Sequence, residues 1–329
     1  MTAIGAKSHN PPRLTLLQRL QLLARVLVSL PRFIFGITRD LVFNRDSVSF
    51  RTIWMRNTAR VADTLPLPQA RALQRPSGRT IASLCEAHHL RHETVELDAG
   101  SAFPRATLHF IDCDPTARST SGNGSGNVLV YFHGGGYITP LSAGHFKFAR
   151  AAAQRLNAKC ALLEYTLAPD LKYPGQLAQA AAALRYVLQY HAAADITIAG
   201  DSAGGNLALA VLAHLREPHP RVRPVFEGGD HHQQQLRAAL CISPRCANEC
   251  SAASYTYNAS KDIVSTDEVY VDDIRQFGEL LGSSSRVDTE LVLCTEEIHV
   301  QAIRDIAVDN WDGVMLKVAL NWLQNLGEN

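Results

Sequence analysis

Two glycine-rich motifs constrain the fold of this chain more than any other feature of its sequence. Residues 133–136 (HGGG) directly follow the apolar run 128–132, and residues 200–204 (GDSAG) directly follow the apolar run 196–199. A helical pattern over 206–215 comes after the second motif. A strand, a tight glycine turn and a helix form the context in which a G-x-S-x-G sequence exposes its serine above an α/β sheet. The two motifs therefore predict an α/β fold.

The pattern of apolar residues changes near residue 90. Residues 1–90 have helical periodicity broken by prolines, which predicts an N-terminal helical cap. Residues 91–329 alternate short apolar runs with helical stretches, which predicts one α/β domain with a mostly parallel sheet and helices on both faces. Cap and domain are expected to form one structural unit. The predicted strands are 107–113, 128–132, 159–165, 196–199, 238–242 and 291–294.

Arginines interrupt the long apolar segment 14–43 at regular intervals. Arg19, Arg25, Arg32 and Arg39 recur every six or seven residues. A membrane-spanning helix needs about 20 residues with few or no charges, so we do not expect this segment to span a membrane. An amphipathic helix packed as a cap on its own protein is the favoured interpretation. Peripheral contact with a membrane or a lipid-like substrate is the alternative.

Composition excludes some classes of function. The chain has 32 basic and 31 acidic residues, so no overall charge favours a nucleic-acid partner. Its seven cysteines are odd in number and scattered, which favours free thiols in a reducing compartment, the cytoplasm. Cys241, Cys246 and Cys250 cluster, but their spacing lacks the C-x2-C pairs typical of structural zinc sites. We expect no metal site.

The GDSAG motif predicts a nucleophilic serine. Ser202 would lie on a strained turn with its hydroxyl exposed. Gly200 and Gly204 would be required because a Cβ at either position would collide with the neighbouring strand or helix. Asp201 completes the motif, and the free N–H of Ala203 at the helix start would face a developing oxyanion.

The HGGG motif predicts an oxyanion hole. Successive glycines allow the N–H groups of Gly135 and Gly136 to turn toward a substrate carbonyl, while Gly134 shapes the loop. A phosphate-binding loop is the alternative, but the G-x-G-x-x-G pattern and the Lys-Ser/Thr of a P-loop are missing. His133 precedes Ser202 by a long stretch, so we expect it to orient the loop and not to act as the base.

Together with further segments, these motifs resemble the hormone-sensitive-lipase-like family of α/β hydrolases, most closely its fungal members. The additional matching segments are residues 165–170 (YTLAPD), 173–176 (YPGQ), 242–244 (ISP) and 254–263 (SYTYNASKDI). The resemblance covers residues 75–282 well. It implies an α/β-hydrolase fold, a Ser–acid–His mechanism, carboxylic-ester substrates, a cap over an apolar acyl pocket and no cofactor. Such enzymes also tailor secondary metabolites in fungi.

The C-terminal part departs from the family pattern. The family places an acid just after the strand predicted at 291–294, which makes Glu297 the acid candidate and Glu296 the second choice. The alternative is two solvated glutamates stabilised by a helix start. Only 16 residues separate Glu297 from the last helical pattern at 314, too few for the expected helix, strand and histidine loop. The C-terminal part is therefore shortened.

The general base is not identified by the sequence. Trp311 stands before Asp-Gly where the family has histidine, and no histidine follows His299. His299 comes two residues after Glu297, so we expect it to point away from the serine. The leading hypothesis is a serine hydrolase of small-molecule carboxylic esters with an unidentified base. The alternative is an impaired homologue, with a truncated or mis-spliced C-terminus, that acts as a binding or non-hydrolytic tailoring protein.

Overall fold

The computed structural model describes most of the chain. The described residues are 14–43, 50, 53–54, 57–58, 61, 65–116, 126–226, 235–247, 252–254, 270–283, 288–294 and 297–328. Strands within them are β1 (His92–Leu97), β2 (Ala106–Ile111), β3 (Val128–Phe132), β4 (Lys159–Glu164), β5 (Ile196–Asp201) and β6 (Ala238–Ile242). Helices are α1 (Leu16–Phe43), α2 (Leu67–Leu73), α3 (Ser77–Ala87), α4 (Ala143–Arg155), α5 (Gly175–Val187), α6 (Ala203–Arg216), α7 (Val271–Gly282), α8 (Gln301–Ala307) and α9 (Val314–Glu328).

The six strands form one mixed sheet in the order β1-β2-β4-β3-β5-β6. β4, β3, β5 and β6 run parallel, whereas β2 pairs antiparallel with both β1 and β4. The central strands β3 and β5 are buried at every position. Their uninterrupted apolar character is what a strand covered on both faces requires. The predicted α/β fold with a largely parallel sheet is confirmed.

Two apolar layers cover the faces of the sheet. α5 and α6 pack on one face through side chains such as Leu177, Leu184 and Leu207. α3, α4, α8 and α9 pack on the other through Ile81, Phe148, Ile306 and Leu323. The C-terminal helices α8 and α9 thus belong to the core, and they hold the segment that precedes them against the sheet.

The predicted strand at 291–294 is wrong. Residues 291–294 have no strand geometry, and the side chains of Leu291, Val292 and Leu293 are 38–46% exposed. Leu291 packs beside Gly278 of α7 and not in the sheet. A short apolar run becomes a strand only where a neighbouring strand supplies its hydrogen bonds, so composition alone misassigned this one.

The N-terminal segment divides into a part that joins the core and a long exposed helix. Ile81 and Cys85 of α3 are buried against the sheet layer. In α1, Leu16–Val42 is long and apolar enough to cross a membrane, and an 18-residue window within it has a mean hydropathy of 1.6. Only 6% of that window is buried. The division at residue 90, the role of α1 as a cap and the prediction that it does not span a membrane stay predictions.

Candidate active site

Ser202 lies on the tight turn between β5 and α6. Its backbone adopts φ 49° and ψ −114°, a conformation that L-residues rarely occupy. The turn is anchored because the Ser202 N–H donates to the carbonyl of Ile242 in β6 over 2.9 Å. The turn has no space for a side chain at Gly204, since a Cβ there would lie 1.9 Å from the Phe132 carbonyl oxygen. This geometry is the strained strand–turn–helix that presents a nucleophile.

His299 contacts the hydroxyl of Ser202. Its Nε2 lies 2.8 Å from Ser202 Oγ, within hydrogen-bond distance. The expectation that His299 points away from the serine is therefore wrong. Residue 300 explains the difference, because Val300 has φ 51° and ψ 37° and reverses the chain immediately before α8. The left-handed turn redirects the side chain of His299 toward the end of β5.

Three contacts hold His299 and its turn in place. Val300 N–H donates to Ser243 Oγ over 3.2 Å, and Arg304 Nε donates to the His299 carbonyl over 3.1 Å. The ring of Tyr270 meets the imidazole edge to face, with centroids 4.9 Å apart. A base must be held within hydrogen-bond reach of its nucleophile. These contacts provide that restraint from α8, from the loop after β6 and from the start of α7.

Asp201, beside Ser202, connects the Ser202 turn to the HGGG loop. Its Oδ1 accepts hydrogen bonds from Tyr131 Oη over 2.5 Å and from Gly134 N–H over 2.9 Å. Its Oδ2 lies 3.3 Å from His145 Nε2. Burial raises the pKa of Asp201, but His145 and the two donors outweigh it and hold the pKa below its usual value. Asp201 is thus an ionised buried anchor.

The HGGG loop is fixed by its first histidine and by its own turn. His133 Nδ1 donates to the Gly134 carbonyl over 2.7 Å, and its ring stacks on Tyr165 at 4.4 Å. The Gly135 carbonyl accepts from the N–H of Ile138 and of Thr139. The N–H of Gly134 is engaged by Asp201. His133 therefore has the orienting position expected from the sequence, and the next two glycines continue the loop beyond it.

Comparison with known proteins identifies the family to which this architecture belongs. A sequence profile described as alpha/beta hydrolase fold matches residues 129–293, which is half of the chain. The chain belongs to the alpha/beta hydrolase fold family. Its relatives include an acetyl-hydrolase of Streptomyces hygroscopicus, 32% identical over 42% of this chain and 42% of the relative. The human hormone-sensitive lipase is 35% identical over 26% of this chain and 9% of the lipase.

These matches span less than half the length of the two relatives. Among solved structures, a thermostable esterase from Pseudomonas putida superposes with a TM-score of 0.61 at 17% identity, covering 86% of this chain and 98% of the esterase. At that identity the superposition shows the fold. The predicted α/β-hydrolase fold is thereby confirmed, and its relatives are esterases and lipases.

Glu297 and Trp311 lie near the start of α9 in this α/β hydrolase. Glu297 Oε1 accepts a hydrogen bond from the Val314 N–H over 3.2 Å, a favourable position for a carboxylate at a helix N-terminus. Trp311 is 50% exposed in the turn before α9. His299, and not the segment at Trp311, reaches the serine. The role of Glu297 as the acid stays a prediction, and Glu296 lies outside the described residues.

The described part of this α/β hydrolase shows no metal-binding cluster. No group of three or more His, Cys, Asp or Glu residues within the described ranges could hold an ion. Of the three clustered cysteines, Cys241 and Cys246 lie within those ranges, and Cys250 lies outside them. Burial raises the pKa of the Cys241 thiol to about 12, so this cysteine remains protonated at neutral pH.

The buried His133 predicts a pH-dependent stability. Burial, aided by the nearby His145, lowers the pKa of His133 from 6.5 to about 4. Its Nε2 has no hydrogen-bond partner among the described residues, so protonation would create an unpartnered buried charge. The unfolded chain binds this proton below pH 6.5, whereas the folded chain does not until about pH 4. Stability should therefore fall as the pH falls through that window, by up to about 3 kcal/mol from His133.

Urea unfolding at several pH values between 7 and 4 measures this loss, with His133→Asn as the comparison. Burial also lowers the pKa values of His92, His191 and His214, so part of the pH dependence remains in the variant. A flatter stability profile for His133→Asn is expected. Identical profiles for the two proteins would contradict the assignment to His133.

Proposed function

We propose that this α/β hydrolase cleaves carboxylic esters, with Ser202 as the nucleophile and His299 as the general base. The observation that carries the proposal is the 2.8 Å distance between His299 Nε2 and Ser202 Oγ. A nucleophile and base in direct hydrogen-bond contact are the minimal unit of serine-hydrolase chemistry. The strained backbone of Ser202 supports the same role.

The reaction would proceed in two steps. Ser202 Oγ attacks the ester carbonyl while His299 Nε2 takes the hydroxyl proton, forming a tetrahedral intermediate. The N–H groups of Gly135, Gly136 and Ala203 would donate to its oxyanion, and the protonated His299 would give its proton to the departing alcohol. Water then attacks the acyl-enzyme with His299 again as base, which releases the acid and restores Ser202.

The names of the relatives favour an ester over other acyl substrates. The acetyl-hydrolase, the hormone-sensitive lipase and the Pseudomonas esterase are hydrolases by name. Glu297 remains our proposed acid, and it would orient the imidazole of His299 and stabilise its protonated form. The hydrogen bond that Glu297 accepts from the Val314 N–H fixes its carboxylate at the start of α9.

A catalytically impaired homologue is the second candidate. The observation that favours it is the same Glu297–Val314 contact, since a carboxylate that serves as a helix cap is partly diverted from a base. Such a protein would bind an ester in the acyl pocket that the family resemblance implies while lacking the full rate. Turnover of an ester separates the two candidates, because only a working nucleophile and base both form and hydrolyse an acyl-enzyme.

Covalent labelling tests the proposal directly. We expect a fluorophosphonate to modify the intact chain once, at Ser202, because this hydroxyl lies on the strained turn within hydrogen-bond distance of His299. Mass spectrometry of a peptide digest measures the site. Rapid mixing with p-nitrophenyl butyrate should give a burst of p-nitrophenol as the acyl-enzyme forms.

Two serine variants control the experiment. Ser202→Ala should lose both the label and the burst, whereas Ser283→Ala, at an exposed serine after α7, should keep both. Labelling at another serine would refute Ser202 as the nucleophile. A label at Ser202 without turnover of any ester would favour the impaired homologue.

A further inference from the structure

Helix α1 exposes an unusually apolar surface. Twelve of its large apolar side chains are 39–75% exposed. Leu16, Leu20, Leu23, Leu27, Leu30 and Ile34 recur at intervals of four and three residues, so they follow one face of the helix. At 1.5 Å per residue, the 28 residues of α1 extend over about 40 Å. An exposed apolar patch of this extent marks an interaction surface.

The opposite side of α1 is attached to the protein. Gly36 and Asp40 are buried, and Asn57 Nδ2 donates to Asp40 Oδ2 over 3.1 Å. Near the other end, Gln69 Nε2 donates to the Gln18 carbonyl over 3.2 Å. Contacts at both ends hold the helix along the body of the protein. A helix held in this way exposes its outer face along its whole length. It would lose these contacts if it crossed a bilayer.

The charges on α1 suit an anionic surface. Arg19, Arg25 and Arg32 are exposed, while Arg39 is paired with Asp40 at 2.6 Å. The described part of the helix contains no acidic residue before Asp40. Arg25 and Arg32 are seven residues apart and lie on the far side of Val28 and Phe35 from the leucine row, at the edge of the exposed surface. Long arginine side chains at such an edge can reach lipid phosphates while the neighbouring apolar side chains enter the acyl region.

The width of the apolar face decides between a membrane and a second copy of the chain. A two-helix seam would cover the heptad-spaced leucines. It would leave Leu17, Val28 and Phe35 in water, because these side chains, which are 66–75% exposed, lie away from that seam. Two further aromatic residues beside α1, Phe50 and Trp54, are 56% and 50% exposed, and tryptophan favours the membrane–water boundary. A lipid surface can cover the leucine row together with Leu17, Val28 and Phe35.

We propose that α1 lies in the plane of an anionic membrane surface, with its leucine face in the acyl boundary and Arg19, Arg25 and Arg32 at the phosphates. The helix therefore holds the hydrolase domain on the membrane from one side and does not span it. This inference is independent of the proposed ester hydrolysis, since membrane binding requires neither Ser202 nor His299.

Vesicle flotation of the full chain tests the inference. We expect the protein to float with vesicles of phosphatidylcholine mixed with phosphatidylserine, and less with phosphatidylcholine alone. Leu20→Glu/Leu27→Glu places two charges in the lipid face and should lower the partition coefficient by at least about tenfold. Arg25→Gln/Arg32→Gln should lower it about fivefold per arginine, and only for the anionic vesicles.

Leu280→Glu is the matched control, because Leu280 is a 64% exposed leucine on α7, outside α1. It should float like the unmodified chain. Circular dichroism and thermal melting confirm that each variant is folded. Equal flotation of the Leu20/Leu27 variant and the control would overturn the proposal, as would no flotation of the unmodified chain. A dimer in sedimentation that the leucine variant disrupts, without vesicle binding, would assign the face to a second copy.

Discussion

Replacement of His299 by glutamine is expected to lower kcat/KM for p-nitrophenyl butyrate by about 10⁴-fold. Glutamine keeps a polar side chain near Ser202 Oγ, but it cannot take the hydroxyl proton at neutral pH. Without the base, the serine remains a weak nucleophile. The residual rate over water would come from binding and from the backbone N–H groups at the oxyanion. Steady-state hydrolysis at saturating and limiting ester concentrations measures the loss.

The double variant makes this prediction specific to a coupled pair. Residues that act as one catalytic unit have strongly non-additive effects. Ser202→Ala/His299→Gln should therefore lose no more activity than the stronger single variant. His88→Gln, which changes an exposed histidine after α3, should retain full activity. A loss of less than about tenfold in His299→Gln would mean that another group serves as the base.

Local patterns were sufficient to predict the centre of this fold. β3 and β5 are runs of buried apolar residues that end directly in glycine motifs, so strand and turn are both encoded within a few residues. Steric exclusion at Gly204 could also be anticipated, since the G-x-S-x-G turn leaves no space for a Cβ there. The strained turn at Ser202 was predictable because its geometry depends on the immediate sequence neighbours of Ser202.

His299 was missed because its position depends on contacts distant in sequence. The spacing from Glu297 suggested that it would point elsewhere, but the left-handed Val300 reverses the chain at that point. Val300 is secured by Ser243, 57 residues earlier. Two sequence signals were available: His299 is the last histidine of the chain, and a helical pattern follows it. The family pattern, which places a helix and a strand between the acid and the histidine, argued against His299 and outweighed these two signals.

The expected strand at 291–294 failed for the opposite reason. Its apolar composition is local, but strand formation requires a hydrogen-bonding neighbour, which the sequence does not reveal. The side chains of Leu291, Val292 and Leu293 are 38–46% exposed. The C-terminal part therefore supplies the His299 turn and two core helices without adding a strand from 291–294 to the sheet.

Replacement of Gly204 by alanine is expected to destabilise the fold by at least about 3 kcal/mol, the upper end of ordinary overpacking costs. The added Cβ would lie 1.9 Å from the Phe132 carbonyl oxygen and 2.6 Å from its carbon. Both are backbone atoms of the central strand β3, so no side chain can rotate away to relieve the overlap. α6 must instead move off the sheet, which would displace the Ser202 turn and open the core formed by Leu207 and Val211.

Gly282→Ala provides the matched control, because a Cβ at this last residue of α7 has no atom within 4 Å. Removing the extra freedom of glycine from the unfolded chain should leave its stability unchanged or raise it by up to about 1 kcal/mol. Urea unfolding monitored by circular dichroism measures both free energies. Equal stability of the two variants would mean that β3 and α6 can separate at little cost. The rigidity of the Ser202 turn would then have another source.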